Sequence, residues 1–277
     1  MLKTVHILSI VVTLFYAITF FVYLLGFIHG KRKTHLHNSK RIFLFFTLIV
    51  HTFYLIERSF VFDHLPITNQ FEIFTILAFA IGFTYFLLEL LTDIRGTGVF
   101  ILVFALIFQV ISALFIKDEY IVKEVLKNYP LGIHVINALL GFAGISVSAA
   151  YSIMYLLQYK NLQTHKYDLI FDRLPNLEIL EKLSYYSMII GFVLLTIAIA
   201  IGFIWLPSAF PDFKFYDPKI ISTAIVWLIF GTGILLHIMG RLYGKKISYF
   251  SITGFIVAVL SVALSGVIYS SFHDFVK

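Results

Sequence analysis

The sequence predicts an all-α fold: a polytopic membrane bundle of about eight transmembrane helices, with both termini outside. Three observations predict it. Of the 277 residues, 60% are hydrophobic and only 13% are charged, whereas soluble domains run near 25% charged. That deficit is too large for a water-facing surface. The apolar residues fall in long runs, each near the roughly 20 residues that a spanning helix requires. The basic residues gather in short loops, so the net charge of +6 reads as topology and predicts no nucleic-acid partner.

Taken in order, the predicted spans are 5–28, 41–61, 71–92, 98–116, 131–158, 184–206, 220–242 and 247–270. The first resembles a signal peptide only superficially. Lys3 is a weak basic start, the apolar stretch is long, and no A-x-A site follows. The fifth is long enough to tilt or to extend beyond the bilayer. Pro66, Pro130, Pro175, Pro207, Pro211 and Pro218 lie at or near predicted helix ends. No loop is long or polar enough to form a soluble domain, so residues 1–277 read as a single transmembrane domain.

Loop charges set the orientation. The loop after span one carries Lys31, Arg32, Lys33, Lys40 and Arg41 without an acid. The loop after span seven carries Arg241, Lys245 and Lys246, again without an acid. Loop three is nearly neutral, and loop five mixes Lys160, Lys166, Arg173 and Lys182 with Asp168, Asp172, Glu178 and Glu181. On the opposite side Arg58 is balanced by Asp63, and Lys117, Lys123 and Lys127 by Asp118, Glu119 and Glu124. Odd-numbered loops are therefore cytoplasmic, as expected for a multi-pass protein of the cell's inner (cytoplasmic) membrane.

The absence of cysteine excludes disulfides, thiolate metal sites, covalent c-type haem attachment and thiol catalysis within this chain. Histidine is the informative residue, because ionisable groups at membrane depth are costly and mark function. His51 lies mid-span in span two, and His237 lies late in span seven. His134 opens span five and His273 closes span eight, both at the outer face. Depth thus makes two pairs, His51 with His237 and His134 with His273. Each pair draws on separate helices, as cofactor sites in bundles do. Two imidazoles suit a haem iron, and zinc or copper accepts imidazole as well. The competing reading for any one of them is a hydrogen-bonded packing histidine. His29, His35, His37 and His165 lie in cytoplasmic loops, and His6 and His64 lie near the outer side. Arg58, Lys219 and Arg241 are candidate partners for an anionic haem propionate, or ordinary helix-end cations. No catalytic set is evident.

Several stretches resemble a known family. Asp63-His64-Leu65-Pro66-Ile67-Thr68-Asn69-Gln70-Phe71-Glu72 is similar to the outer loop of the CcsA-type cytochrome c assembly proteins, where Pro-x-x-Asn-x-x-Glu opens the next helix. Ile133-His134-Val135 with Tyr155-Leu156-Leu157-Gln158-Tyr159, Leu183-Ser184-Tyr185 with Gly191-Phe192, and Tyr216-Asp217-Pro218-Lys219 with Trp227-Leu228-Ile229 and Leu236-His237 follow in the family's order. The resemblance runs from about residue 41 to the C-terminus. It implies haem b, one or two, held between His51 and His237 in the membrane and between His134 and His273 at the outer face, with haem moved across the membrane. The family's tryptophan-rich loop is reduced here to Trp205 with Phe210, Phe213, Phe215 and Tyr216. That departure resembles the HemX-like branch of the CcsA/CcmC-type proteins, and it counts against direct delivery of haem to apocytochrome without counting against haem binding. Expected partners are haem, membrane lipid and a cytochrome c assembly partner protein. The alternative is a redox protein, a haem-dependent quinone oxidoreductase, passing electrons through two haems to or from quinone. A cofactor-free transporter fits less well, because no inverted repeat or pair of Gly/Pro-broken helices is evident.

Overall fold

The computed structural model describes the backbone of residues 2–29, 34–94, 96–118, 128–165, 171, 173–209 and 218–267. Side chains are described throughout these except at 34–38, 206–209, 218–219 and 262–267. The described residues form eight helices and no strand: α1 (Leu2–His29), α2 (Thr34–Phe62), α3 (Gln70–Thr92), α4 (Gly98–Phe115), α5 (Tyr129–Gln163), α6 (Leu177–Ala209), α7 (Pro218–Ile238) and α8 (Lys245–Val267). Seven of them, α1 to α7, contain stretches long and apolar enough to cross a membrane. The predicted eighth span, 247–270, runs past the described residues. The polytopic helical bundle expected from the sequence is the architecture observed.

The helices are apolar outside and partly polar inside. On α1 the buried residues are Val5, Ser9, Val12, Tyr16, Thr19 and Tyr23, a stripe spaced by three and four. Ile7, Ile10, Leu14, Ile18, Phe21 and Leu25 on the same helix are exposed. A soluble protein does not expose such a face. Lipid solvates it, while hydroxyls on the inner stripe find partners that lipid cannot supply.

Several helix ends differ from the apolar runs because caps, not hydropathy, set them. α6 begins at Leu177 rather than 184, since the Asn176 side chain accepts from the Ile179 N–H at 2.9 Å. Its first turns, Glu178-Ile179-Leu180-Glu181-Lys182, are polar on one face and escape a hydropathy reading. α7 ends at Ile238 rather than 242, where Gly240 takes φ +74°. The Gly240 N–H reaches the His237 carbonyl at 3.0 Å and the Arg241 N–H reaches the Leu236 carbonyl at 2.9 Å, the paired bonds of a Schellman cap. Arg241 therefore sits beyond the helix rather than one turn further along it.

The chain divides into two compact units, Met1–Gly132 and Ile133–Lys277. In the first, α1 packs on α2 and α4, and α3 packs on α2 and α4, closing a four-helix bundle. In the second, α6, α7 and α8 pack on one another around Ile145, Met188, Leu195, Val226, Phe230, Ile247 and Ala258. α5 meets α6 at glycine: a Cβ added to Gly144 falls 2.6 Å from Gly191 Cα. Such small-residue crossings let helices in lipid approach closely enough for dispersion to hold them.

Candidate functional site

Three polar layers cross the first unit. At the C-terminal end of α2, Arg58 is 1% exposed and Glu72 is 0% exposed. Arg58 Nε and Nη2 both lie 2.8 Å from Glu72 Oε1, and Nη2 also donates to the Lys117 carbonyl at 2.8 Å. Asp118 Oδ1 stands 3.7 Å from Nη1, and Asp118 Oδ2 stands 3.0 Å from His6 Nε2. The Pro-x-x-Asn-x-x-Glu stretch is what places Glu72. Asn69 caps α3 by accepting from the Phe71 and Glu72 N–H groups, and Glu72 Oε2 accepts from both the N–H and the hydroxyl of Thr68 at 2.8 Å. The motif is thus a helix cap joined to a buried ion pair.

At the opposite end, Tyr23 donates to Glu89 Oε1 at 2.6 Å, and Arg41 donates to the Glu89 carbonyl and to Asp93. Asp93 closes α3 in the left-handed conformation, φ 54°, which Asp tolerates better than most residues.

Between these layers stands His51, 0% exposed. Its Nδ1 is 3.0 Å from Tyr16 Oη, and its Nε2 is 3.0 Å from Thr75 Oγ1. Thr75 donates to Gln109 Oε1 at 2.7 Å, Gln109 Nε2 faces Thr13 Oγ1 at 3.4 Å, and Thr13 donates to the Ser9 carbonyl at 2.8 Å. Thr75 gives its proton to Gln109, so it accepts from His51 Nε2–H. The single proton of the Tyr16 hydroxyl faces both His51 Nδ1 at 3.0 Å and the Ala78 carbonyl at 3.1 Å. One chain of hydrogen bonds therefore ties α1, α2, α3 and α4 together through His51.

In the second unit two imidazoles are held differently. His134 Nδ1 lies 2.7 Å from the Ala198 carbonyl, and His237 Nδ1 lies 2.8 Å from the Leu242 carbonyl. A carbonyl only accepts, so Nδ1 carries the proton and the lone pair of the neutral ring lies on Nε2. His237 is half-buried between Tyr185, at 3.9 Å between ring centroids, and Tyr243, at 4.5 Å. The Schellman turn after α7 brings the Leu242 carbonyl back to the ring. Among the described residues, His237 Nε2 has no hydrogen-bond partner. Ser148, Ser152, Ser184 and Ser251 form a buried knot joining α5, α6 and α8, with hydroxyl separations of 2.8–3.1 Å.

Of the predicted site residues, His51 and Arg58 lie in the first unit, and His134, His237 and Arg241 lie in the second. His273 and the side chain of Lys219 lie outside the described residues. Arg241 is exposed, four residues beyond His237. Sequence reasoning counted Arg58 against Asp63 only in the charge balance of the outer loop; the structure pairs it with Glu72 and Asp118. It also passed over Tyr16, Thr75, Gln109 and Glu89. A signal existed for the last two: Gln109 interrupts an apolar span, and Glu72 and Glu89 are carboxylates inside span three. Tyr16 and Thr75 have no such mark, since both residue types are ordinary in membrane helices. Among the described residues no three His, Asp or Glu side chains converge on a point that would hold a bare metal ion.

Comparison with known proteins identifies the family. The family model described as "Cytochrome C assembly protein" matches residues 8–273. The chain is 26% identical over 145 residues to Protein HemX of Bacillus subtilis (strain 168), covering 52% of each chain. It is 27% identical over 153 residues to Protein HemX of Brevibacillus brevis, covering 55% of this chain and 56% of that one. The match thus spans about half the length of these two relatives. To the cytochrome c biogenesis protein CcsA of Pyropia yezoensis it is 27% identical over 254 residues, covering 76% of this chain and 79% of that one. With the match running from α1 to residue 273, through the capped α3 and both histidine-bearing helices of the second unit, this multi-pass membrane protein belongs to the cytochrome c assembly protein family.

Proposed function

We propose that the chain binds haem b within the membrane through histidine imidazoles and moves it across the inner membrane. His51 and His237 serve as ligands at membrane depth, and His134 and His273 serve at the outer face. The observation that carries the reading is the tautomer of His134 and His237. A ligating imidazole holds its other ring N–H against a carbonyl or carboxylate, which fixes the ring and raises its basicity. Both side chains have that arrangement, each with a backbone carbonyl. Haem supplies its own four equatorial nitrogens, so one or two imidazoles suffice where a bare ion needs a larger set. The tyrosines flanking His237 offer the aromatic wall that a porphyrin face packs against.

Propionate partners follow from exposure and pairing. Arg241, exposed beyond α7, has a cation available to an anion. Arg58 already serves Glu72, so a propionate there has to compete with a buried carboxylate. The basic loops, on the cytoplasmic side by the charge rule, concentrate anionic haem near the His237 end.

The test is the visible spectrum of purified protein supplied with ferric haem. A bis-imidazole Soret band is expected. His237→Ala and His134→Ala should each weaken binding by more than the roughly 10–100-fold typical of losing a hydrogen-bond partner behind a ligand. A protein that stays colourless after haem is supplied would overturn the reading.

A further inference from the structure

We propose that the end of the α5–α8 pair at Tyr159 and Lys245, cytoplasmic by the charge rule, binds an anionic phospholipid. The Lys245 ammonium takes the phosphodiester of the headgroup, and the exposed face of α8 takes an acyl chain. The site lies wholly in the second unit and does not rest on the haem reading above. Arg241, given there to a propionate, is no part of it.

α5 and α8 run beside each other in opposite directions. Ser148 on α5 meets Ser251 on α8 at 2.8 Å, and further along Lys245 Nζ stands 4.3 Å from the centroid of the Tyr159 ring. The turn before α8 lets the two helices close there. Gly244 takes φ +59°, and a Cβ on it would fall 3.1 Å from Tyr155 Oη. Lys245 is the first residue of α8 and is exposed. Its ammonium rests on an aromatic face, which attracts a cation without neutralising it. The side of the ammonium turned away from the ring is therefore left for an anion.

Charge favours an anion at this end. Lys160, Lys182, Lys245 and Lys246 are all exposed, and none has a carboxylate partner among the described residues. Glu178 and Glu181 on α6 leave them unpaired. In the first unit, by contrast, Arg41 is paired with Asp93 and Arg58 with Glu72.

The surface adjoining the cation selects a lipid over a soluble phosphate. Tyr249, Ile256 and Leu260 are exposed, and at 100° per residue they lie within about 60° of Lys245 round α8. Ile153 and Leu157, within two turns of Tyr159 on α5, are exposed as well. Along α8 the order is cation, amphipathic ring and aliphatic carbon, over about 22 Å. That is the order of headgroup, interface and acyl chain in a leaflet whose hydrocarbon is about 15 Å deep. Basic clefts between helices on the cytoplasmic side hold anionic headgroups in this way.

The test uses full-length protein in phosphatidylcholine vesicles carrying a trace of spin-labelled phosphatidylglycerol. The motionally restricted fraction of the label measures lipid held at the protein surface. Phosphatidylglycerol should be held in preference to labelled phosphatidylcholine. Lys245→Gln should lower its association constant roughly five-fold, the worth of one cation at an anionic surface, and Lys245→Arg should keep it. Lys182→Gln removes a cation of the same side that rests on a different ring, Tyr186, at 5.6 Å, and should leave the constant nearly unchanged. Equal losses in Lys182→Gln and Lys245→Gln would show diffuse charge attraction and overturn the site. So would the absence of any preference in the unaltered protein, or an unchanged constant in Lys245→Gln. Displacement of the labelled lipid by excess inorganic phosphate would assign the lysine to a soluble anion and overturn it too. Helical circular dichroism checks each variant. If Lys245→Gln does not fold, Tyr159→Leu, which removes the ring beneath the ammonium, has to lower the constant or the inference fails.

Discussion

At the scale of single residues, the first unit depends on how buried polar groups are paired. Arg58 and Glu72 are both nearly inaccessible, and neither tolerates loss of the other. Replacing both by well-packed apolar groups is often neutral, whereas removing one partner leaves an uncompensated charge costing about 3–5 kcal/mol. Glu72→Ala should therefore lower the thermal unfolding midpoint in detergent sharply, and Arg58→Met/Glu72→Leu should recover most of the loss. Glu72 also accepts from Thr68, so recovery should be incomplete by about one capping bond, ~1 kcal/mol. A double variant no better than Glu72→Ala would mean that the pair is not what the site loses. Arg58 was legible in the sequence as a cation near the outer end of span two. Its partner was not, because Glu72 stands 14 positions away and only the α3 cap aims it back at α2.

At the scale of helices, the α5–α6 crossing is the sharpest constraint. A methyl at Gly144 would fall 2.6 Å from Gly191 Cα, and one at Gly191 would fall 2.8 Å from the Ile145 backbone nitrogen. Backbone cannot move aside as a flexible side chain does. Gly144→Ala should force the helices apart and cost about 1–3 kcal/mol, the usual penalty of overpacking. Gly96, with nothing within 4 Å of an added Cβ, is the matched control: Gly96→Ala should leave the midpoint nearly unchanged. Equal effects at the two positions would remove the crossing as a source of stability. The contact of Ser148 on α5 with Ser184 on α6 within the serine knot needs the same close approach, so Gly144→Ala should loosen it too. Span positions were readable from apolar runs, but the extra turns of α6 before residue 184 and the early end of α7 were not. Asn176 and Gly240 set those boundaries through local hydrogen bonds that hydropathy does not register.

At the scale of the whole molecule, the prediction concerns orientation. The native chain has no cysteine, so a single introduced thiol reports its own side of the membrane. Gln70→Cys, at the start of α3, should react with a membrane-impermeant maleimide in intact cells. Thr164→Cys, just past α5, should react only after the membrane is opened. The opposite pattern would reverse the assignment of cytoplasmic and outer faces, and with it the proposed direction of haem approach.

The sequence by itself determined the class of the protein. Charge scarcity, apolar run length and basic loops each follow from the bilayer as solvent, and that solvent acts on every residue independently of its distant neighbours. It also named four histidines, because depth along a span is a one-dimensional property. Only the tertiary structure decided what the described histidines do with their nitrogens. His134 and His237 donate Nδ1–H to backbone carbonyls, whereas His51 stands between Tyr16 and Thr75 in a chain through four helices. Proton position depends on the partner facing each nitrogen. For His51 and His134 that partner comes from another helix, and for His237 from the turn closed by Gly240, which spacing along the chain does not record.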